Sequence, residues 1–488
     1  MEPKSDLRQQ RLEKLEKLRK KGLDPFPHNF SRTHLSAEVL QEFKDLMVSE
    51  RQVRVAGRMI SAREHGRSNF AHILDRTGKI QIYMRQEEVG EELFTLFRFL
   101  DVGDIIGAWG SVFKTKTGEV TVRVQGYSLL AKSLRLLPEK WHGLRDKEIR
   151  YRQRYLDLIA NVHVKELFQL RTQVIRAVRC FLDERGFLEV ETPVLQPIYG
   201  GAFAQPFVTR HKALGIKLFL RIADELYLKR LIVGGFDRVY ELSKNFRNEG
   251  IDRDHNPEFT LLELYQAYAD YEDMMALMEE MIPHVAQEVV GSLQIRYGDH
   301  VLDLTPPWKR ISFFDALNGR LGQDVSQWGV RELRESLAQR EIEAREGIHR
   351  SRLLESLFDA VVEPELIQPT FVIDYPLESA PLAKRHRKHS DLVERFEFFT
   401  AGKELANAFS ELNDPLDQRQ RFQEQMKLRR AGDDQAQVLD EDFLRALEYG
   451  MPPTGGLGMG IDRLVMLLAD APSIRDVILF PHMRQEKF

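Results

Sequence analysis

Residues 238–271, RVYELSKNFRNEGIDRDHNPEFTLLELYQAYADY, constrain the fold more than any other part of the chain. Two runs of β-forming residues, 239–242 and 259–265, flank a polar segment that carries Arg247, Glu249, Arg253, His255 and Pro257, with Gly250 at a turn. The pattern reads as strand, loop, strand. Alternation in the second run sends Phe259, Leu261, Glu263 and Tyr265 to one face and Thr260, Leu262 and Leu264 to the other. The second set is a packing face. The first sets an aromatic ring, a carboxylate and a phenol beside a loop with two arginines and a histidine, which suits a polyphosphate together with an amine. An ordinary hairpin with a solvated charged loop is the competing reading.

At 488 residues the chain has room for two or three domains with full cores. Lys+Arg 71 against Asp+Glu 75 gives a net charge of -4, so any contact with nucleic acid is local and does not come from bulk charge. One cysteine, Cys180, excludes an intrachain disulfide and a multi-cysteine zinc site, and fits a reducing compartment. No apolar run approaches the ~18 residues of a membrane span. Residues 4–21 are charged throughout, with Glu13 and Glu16 among them, unlike a signal or transit peptide, so the expected location is the cytoplasm, away from membranes.

The first 50 residues read as a basic helix and lead-in, with Leu7, Leu12, Leu15 and Leu18 on one face. That helix either rests its leucines on the next domain or adds contact with RNA phosphates. Over 51–131 the period becomes two, with strands expected at 52–60, 68–75, 79–85, 104–114 and 119–130 and a helical interval at 87–99. Turns fall at Thr77-Gly78 and Thr117-Gly118, and the pattern is what an OB-fold barrel needs. Its second and third strands would offer Phe70, His72, Gln81 and Tyr83, with Arg58 and Arg63 nearby, a set suited to stacking and reading single-stranded RNA. Phe70 taken alone reads as core. Residues 132–160, dense in charge and broken by Pro138 and Gly143, read as a link to a second domain at 161–488.

Helical spacing returns at 163–185 and stops at Gly186; FLEVETPVLQP then reads as a strand broken by Pro193, which belongs at an edge or an interface. Gly200-Gly201 precedes RIADELYLKRL, an amphipathic helix containing Glu225. Residues 272–395 look mostly helical, interrupted by Pro306-Pro307 and the strand-like TFVIDYP, with no separate chemistry; Lys384 and Arg385 read either as phosphate contacts or as surface charge. RFEFFTAGKELANAFSELNDP reads as a hairpin turning at Ala401-Gly402, and its glutamates would suit Mg²⁺ beside a nucleotide. GGLGMGIDRLVMLLAD reads as a glycine-rich loop entering a helix with Asp462 and Arg463 in its first turn; its G-x-G-x-G spacing is not a dinucleotide fingerprint. No Cys-His or Ser-His-Asp set is evident, so covalent catalysis has no obvious nucleophile.

FRNEG followed by HNPEFTLLELYQAYADY resembles motif 2 of the class II aminoacyl-tRNA synthetases, 163–197 resembles motif 1, and 455–470 resembles motif 3. The wording is most similar to the lysyl branch. The resemblance implies an α+β chain: an N-terminal OB-fold barrel, then a class II synthetase domain on a mostly antiparallel sheet flanked by helices, with 272–395 as an insertion. It implies activation of lysine by ATP and transfer to tRNA(Lys), in a homodimer joined through motif 1, with Mg²⁺, as many as three ions per site.

The same resemblance assigns Arg247 to the α-phosphate and the lysine carboxylate, His255 to the outer phosphates, and Phe259 and Arg463 to the two faces of adenine, with Arg463 reaching the γ-phosphate. Glu249 would lie on the adenine or ribose side, and Glu397 and Glu404 would hold magnesium. Gly201, Glu225, Glu263, Tyr265, Asn407, Phe409 and Glu411 would surround lysine, Asn407 also serving the nucleotide. Glu411 and Tyr265 would meet the ε-ammonium and Glu225, Glu263 and the Gly201 carbonyl the α-amino end, while Phe70, Gln81 and Glu119 would contact the anticodon. A strict strand puts Asn407, Phe409 and Glu411 on one face and Glu404 on the other, so either a bulge re-aims Glu404 or one assignment fails. Two departures from the family pattern stand out: Gln205 where arginine is expected, and KALG at 212–215 in place of Asn-Ala-Leu-Asp. The rivals are an aspartyl or asparaginyl enzyme of the same group and a non-catalytic RNA-binding relative.

Overall fold

Alternating apolar residues close the first strands of the chain on themselves. β1 (Val53–His65), β2 (Ser68–Leu74), β3 (Lys79–Arg85), β4 (Ile105–Lys114) and β5 (Val120–Ala131) form a closed barrel in the order β1-β2-β3-β5-β4. Val53, Val55, Ile73, Ile82, Ile106, Val122 and Val124 fill it, all fully buried or nearly so. Helical turns at Gln86–Val89 and Glu91–Leu96 fall between β3 and β4, as the spacing predicts. The helix Lys4–Lys20 is held down through Leu15, Leu18 and Arg11, whose buried guanidinium donates to the carbonyls of Ser133, Arg135 and Val102 at 2.8–2.9 Å. Lys14 donates to Asp101 at 2.6 Å. Of the two readings of this helix, packing accounts for these two cations.

This computed structural model describes residues 4–137, 144–343, 348–433 and 436–485; Pro138 and Gly143 lie outside them. The chain divides into units 1–145 and 146–488. Residues 146–160, whose charge reads as part of the link, form two short helices, Lys147–Arg152 and Arg154–Ala160, inside the second unit. Arg154 is fully buried there, paired with Asp157 at 2.7 Å and donating to the carbonyls of Arg475, Ile478 and Leu479.

The strands of the second unit are β6 (Leu188–Glu189), β7 (Leu195–Gln196), β8 (Val208–His211), β9 (Ile216–Leu220), β10 (Arg238–Phe246), β11 (Glu258–Ala267), β12 (Gln294–Tyr297), β13 (His300–Asp303), β14 (Lys309–Ser312), β15 (Thr370–Pro376), β16 (Leu392–Thr400), β17 (Lys403–Ser410) and β18 (Thr454–Gly460). Eight of them make one sheet, β14-β15-β16-β17-β18-β11-β10-β6, antiparallel except at its two outer pairs. Period-two burial splits that sheet into two faces. Behind it, Leu262, Leu264, Phe396, Phe398, Ala408, Leu457 and Met459 pack on the helices Val162–Glu184 and Tyr271–Val290, which supply Val174, Val178, Phe181, Met274, Met278 and Ile282. Each of the larger side chains contributes roughly 1.5–3 kcal/mol by leaving water, which fixes the register and commits the other face to the site.

Two expectations need correction. The glycine-rich segment is no loop: residues 454–460 form β18, hydrogen-bonded between β17 and β11 in the middle of the sheet. Its low strand propensity is overridden by pairing on both edges. The region 272–395, expected to be mostly helical, also contributes β12, β13 and β14, the last pairing parallel with β15 in the main sheet.

Candidate active site

The front of the sheet floors a cavity of about 560 Å³. Its central strip is glycine. Gly456 and Gly458 of β18 face the cavity, with Tyr265 and Glu263 of β11 opposite them on one side and Phe409 and Asn407 of β17 on the other. A Cβ on Gly456 would collide with Glu411 Oε1 and with the Tyr265 ring, so these two side chains can lie over the strand only because it lacks side chains.

The hairpin β16–β17 turns at Ala401-Gly402, both at positive φ. Its register shifts between Phe398 and Phe399: Phe398 pairs with Ala406 but Phe399 pairs with Glu404, leaving Leu405 as the extra residue. Leu405 and Ala406 both pack into the core behind the sheet, and Glu404 is turned forward to line the cavity with Asn407, Phe409 and Glu411. A bulge therefore resolves the conflict over which face Glu404 occupies.

One end of the cavity is closed and acidic. Glu225, Glu263 and Tyr265 are 4–5% exposed and Glu411 is 1% exposed. Gly201, at φ +86°, lies so near that a Cβ there would come within 2.9 Å of Glu225 Cβ. Glu225 and Glu411 both reach Lys229, itself fully buried. Glu263 accepts the backbone N–H of Asp224 at 3.1 Å. Burial raises the pKa of Glu263, Glu411 and Glu225 above the usual carboxylate range, opposed by Lys229 at the latter two and by the Asp224 N–H and Arg247 at Glu263. Negative charge is in excess here, and an added ammonium would relieve it.

The other end is more open. Arg247 stands 5.1 Å from the Phe259 ring centroid and donates to the Ile222 carbonyl at 3.3 Å. Arg463 reaches Glu404 at 3.2 Å across the cavity mouth. Glu249 and His255 lie exposed on the β10–β11 loop, His255 held by Asp252 at 2.9 Å. Behind Phe259, Asp462 accepts the backbone N–H of Thr260 at 2.6 Å and pairs with Arg171 at 2.6 Å, tying the three segments that resemble the family motifs together. Glu397 is bracketed by Arg395 at 2.5 Å and the Tyr375 hydroxyl at 2.8 Å. Burial pushes its pKa up to about 7, with Arg395 opposing and Glu404 adding to the rise.

All catalytic, nucleotide, lysine and metal candidates thus line one cavity: Gly201, Glu225, Arg247, Glu249, His255, Phe259, Glu263, Tyr265, Glu397, Glu404, Asn407, Phe409, Glu411 and Arg463. Sequence reasoning missed a group in the supposedly silent insertion. Arg352, Glu355 and Asp359 of the helix Arg350–Val361 also face the cavity, as does Glu363 beyond it. Their spacing of three and four puts the first three on one helical face, a signal present in the sequence but indistinguishable from a solvated stripe. Arg395 was missed too; it fixes Asn407 with a 3.0 Å hydrogen bond. The loop 379–383 lines the cavity, but Lys384 donates to Asn413 at 2.8 Å and Arg385 pairs with Asp417 at 3.6 Å, both away from the lining. Gln205 ties its carbonyl to the Asn248 N–H at 2.8 Å, and 212–215 form the exposed turn of β8–β9.

On the barrel, Phe70, Tyr83 and Phe113 form a half-buried aromatic row with centroid separations of 4.6 and 5.7 Å. Beside it Glu119 joins His72 at 2.8 Å to Gln81 at 2.9 Å. Phe70 is therefore on the face and not in the core. Arg58 is drawn away to the Gly103 carbonyl at 2.7 Å.

Among the described residues no helix is long and apolar enough to cross a membrane, and no three His, Cys, Asp or Glu side chains are grouped to hold a metal. Residues 146–484 match the family described as tRNA synthetases class II (D, K and N), and 53–130 match one described as OB-fold nucleic acid binding domain. The chain is 56% identical over 477 residues to a lysine–tRNA ligase of Carboxydothermus hydrogenoformans, covering 97% of each. Lysine–tRNA ligases of Moorella thermoacetica (54% over 488 residues; 100% of this chain, 99% of that one) and Bacillus subtilis (51% over 487; 99% and 98%) are similar along their whole length.

Proposed function

The chain belongs to the class II tRNA synthetases of the D, K and N group, and from that premise we propose how its cavity joins lysine to tRNA. It works as an ATP-dependent lysine–tRNA ligase: lysine and ATP give lysyl-adenylate and pyrophosphate, and the lysyl group then passes to the 3′-terminal ribose of tRNA(Lys). The observation that carries the choice of amino acid is the closed end, where the three carboxylates of Glu225, Glu263 and Glu411 gather around one ion-paired lysine, Lys229. An aspartate side chain would meet repulsion there, and an asparagine amide would leave buried carboxylates unpaired. Lysine places its ε-ammonium toward Glu411 and Tyr265 and its α-amino group toward Glu225, Glu263 and the Gly201 carbonyl, with Asn407 and Phe409 along its stem.

The lysine carboxylate oxygen attacks the α-phosphorus directly; the new P–O bond forms as the bond to pyrophosphate breaks. Arg247 holds both the carboxylate and the α-phosphate, so that position and charge are supplied together. Phe259 and Arg463 cover adenine, Glu249 borders it, and Arg463 and His255 take the outer phosphates. The donor set fits Mg²⁺: Glu397 and Glu404 are hard oxygen donors on one face, and their mutual repulsion contributes to the raised pKa of Glu397. Magnesium held by Glu397 and Glu404 would offset the charge of the phosphates. Arg247, Glu404 and Arg463 together weigh against a silent relative.

On the barrel, Phe70 stacks on an anticodon base while Gln81 and Glu119 read base edges. Exposed apolar side chains on and beside the short strands β6 to β9, Leu188, Leu195, Val208, Leu214 and Ile216 at 44–67% exposed, support a homodimer. The tRNA substrate sets the work in the cytoplasm. Amino-acid-dependent exchange of pyrophosphate into ATP, run across all twenty amino acids, should respond to lysine alone; a response to aspartate or asparagine would overturn the specificity.

A further inference from the structure

Lys229 is a fully buried cation that the reaction as derived above does not use. It lies one helical turn from Glu225 on the helix Glu225–Val233, and its Nζ meets Glu225 Oε1 at 2.5 Å and also Glu411 Oε2, from a different element. The rings of Phe409, Tyr265 and Phe443 stand 5.4–6.0 Å from Nζ, and the side chain is fully buried among them. Each carboxylate thereby spends one oxygen on Lys229 and keeps the other. The free oxygen of Glu225, Oε2, faces Gly201, 3.4 Å from where a Cβ on that glycine would stand. The free oxygen of Glu411, Oε1, lies over Gly456 beside Tyr265, buried and without a hydrogen-bond partner among the described residues. A buried, unpartnered carboxylate oxygen is costly unless a ligand completes it.

We propose that Lys229 is the positioning residue of the lysine pocket, a fixed internal cation that aims the free oxygens of Glu225 and Glu411 at opposite ends of the substrate and leaves the pair one positive charge short. The inference rests on the lysine reading of this pocket. Glu225 and Glu411 against one ammonium leave a single negative charge; with Glu263 the closed end has two, which the α-amino and ε-ammonium groups of lysine match. The charged and titratable groups facing this triad are Glu263 and Tyr265 from β11; Phe443, from the helix Glu441–Glu448, is apolar. Coulombic attraction to Glu225 and Glu411 outweighs burial and holds Lys229 protonated. The proton exchanged with the medium is therefore carried by the carboxylates, and substrate binding releases it.

Lys229→Met keeps the length and packing of the side chain and removes the charge. Two facing buried carboxylates cannot both ionise, so one takes up a proton. The lysine KM should rise at least about tenfold near neutral pH, with the ATP KM changed less than about twofold, and the deficit should shrink as the pH is raised. Thermal melting establishes that the variant is folded; should it fail to fold, Lys229→Gln, which keeps two donors, is measured the same way with the same expectation. A folded variant whose lysine KM is unchanged, or whose kcat falls equally at every pH with both KM values intact, overturns the proposal. Its failure is separable from failure of the lysine reading: the latter would show in the unaltered enzyme as exchange driven by another amino acid.

Discussion

The two ends of the cavity are built differently. At the lysine end every functional side chain comes from a sheet strand, its end or a packed helix; Glu225, Glu263, Tyr265 and Glu411 are 5% exposed or less, and Glu225 and Glu411 are already paired with Lys229. At the nucleotide end, His255 and Glu249 ride on a loop, and side-chain exposure is 52% at His255, 38% at Glu404 and 25% at Arg463. A pocket that must reject near neighbours of one amino acid needs a shape and charge fixed before binding. A site for a triphosphate can instead be completed by the ligand, whose own charge draws the loop cations in. Selectivity is stored in the sheet, and capture in the loop.

Arg247 stands where the two ends join, so its loss should be the largest single effect and should not respect the division. Arg247→Ala is expected to lower pyrophosphate exchange by several kcal/mol, roughly a thousandfold or more, with lysine and ATP both affected. Near-normal exchange by a folded Arg247→Ala enzyme would show that the ends work independently.

The next pair of variants separates them. Glu411→Gln preserves shape and removes a buried charge; the lysine KM should rise about a hundredfold with the ATP KM nearly unchanged, since truncating one partner of a buried charged pair costs about 2–5 kcal/mol. Glu404→Gln should do the reverse, raising the magnesium and ATP requirement and leaving lysine alone. Steady-state exchange with each substrate varied in turn checks both. If Glu411→Gln disturbs ATP as much as lysine, the two ends are coupled and the comparison fails.

The barrel provides a control that belongs to neither end. Phe70→Ala should weaken aminoacylation through the tRNA KM by about 1–3 kcal/mol, the worth of one stacked base, and leave lysine-dependent exchange intact. Equal losses in the two assays would mean that Phe70 supports the fold of the barrel and does not touch RNA.

Much of this arrangement was legible in the residues, and the exceptions share a cause. The barrel strands stand within a few residues of their expected places because unbroken alternation marks them, and the two faces of β11 follow from the same period. β18 reads as a loop because glycine disfavours strands, although G-x-G-x-G carries the strand period of two and its glycines are the ones that face the cavity. The bulge at Leu405 is a property of pairing between strands, so no single strand displays it. Lys229 and Glu225, four apart on a helix, look like a surface ion pair, and Arg352, Glu355 and Asp359 look like a solvated stripe. In each case the residue type was visible, and its burial was set by segments distant in sequence.

The smallest effect expected concerns protons, and it tests whether the open end is as unfinished as it looks. Burial and the neighbouring Glu404 hold Glu397 at about 7 against the pull of Arg395, so below that pH the free enzyme carries a proton at the proposed magnesium ligand. Binding magnesium and ATP requires the ionised form. Apparent affinity should therefore improve as pH rises toward 7 and level off above it; one unit below, only about a tenth of the sites are competent, a loss of about tenfold in the ATP half-saturation. The same sign holds at the lysine end, where the raised carboxylates of Glu225 and Glu411 must lose a proton to the medium before an incoming ammonium can pair with them. Lys229 opposes the rise at both, and with that cation fixed in place the lysine KM should follow pH more weakly than the ATP KM. Exchange kinetics across the neutral range, with free magnesium held constant and below saturation, compare the two slopes directly. A flat ATP profile beside a steep lysine one would reverse the assignment of the preorganised and the ligand-completed end.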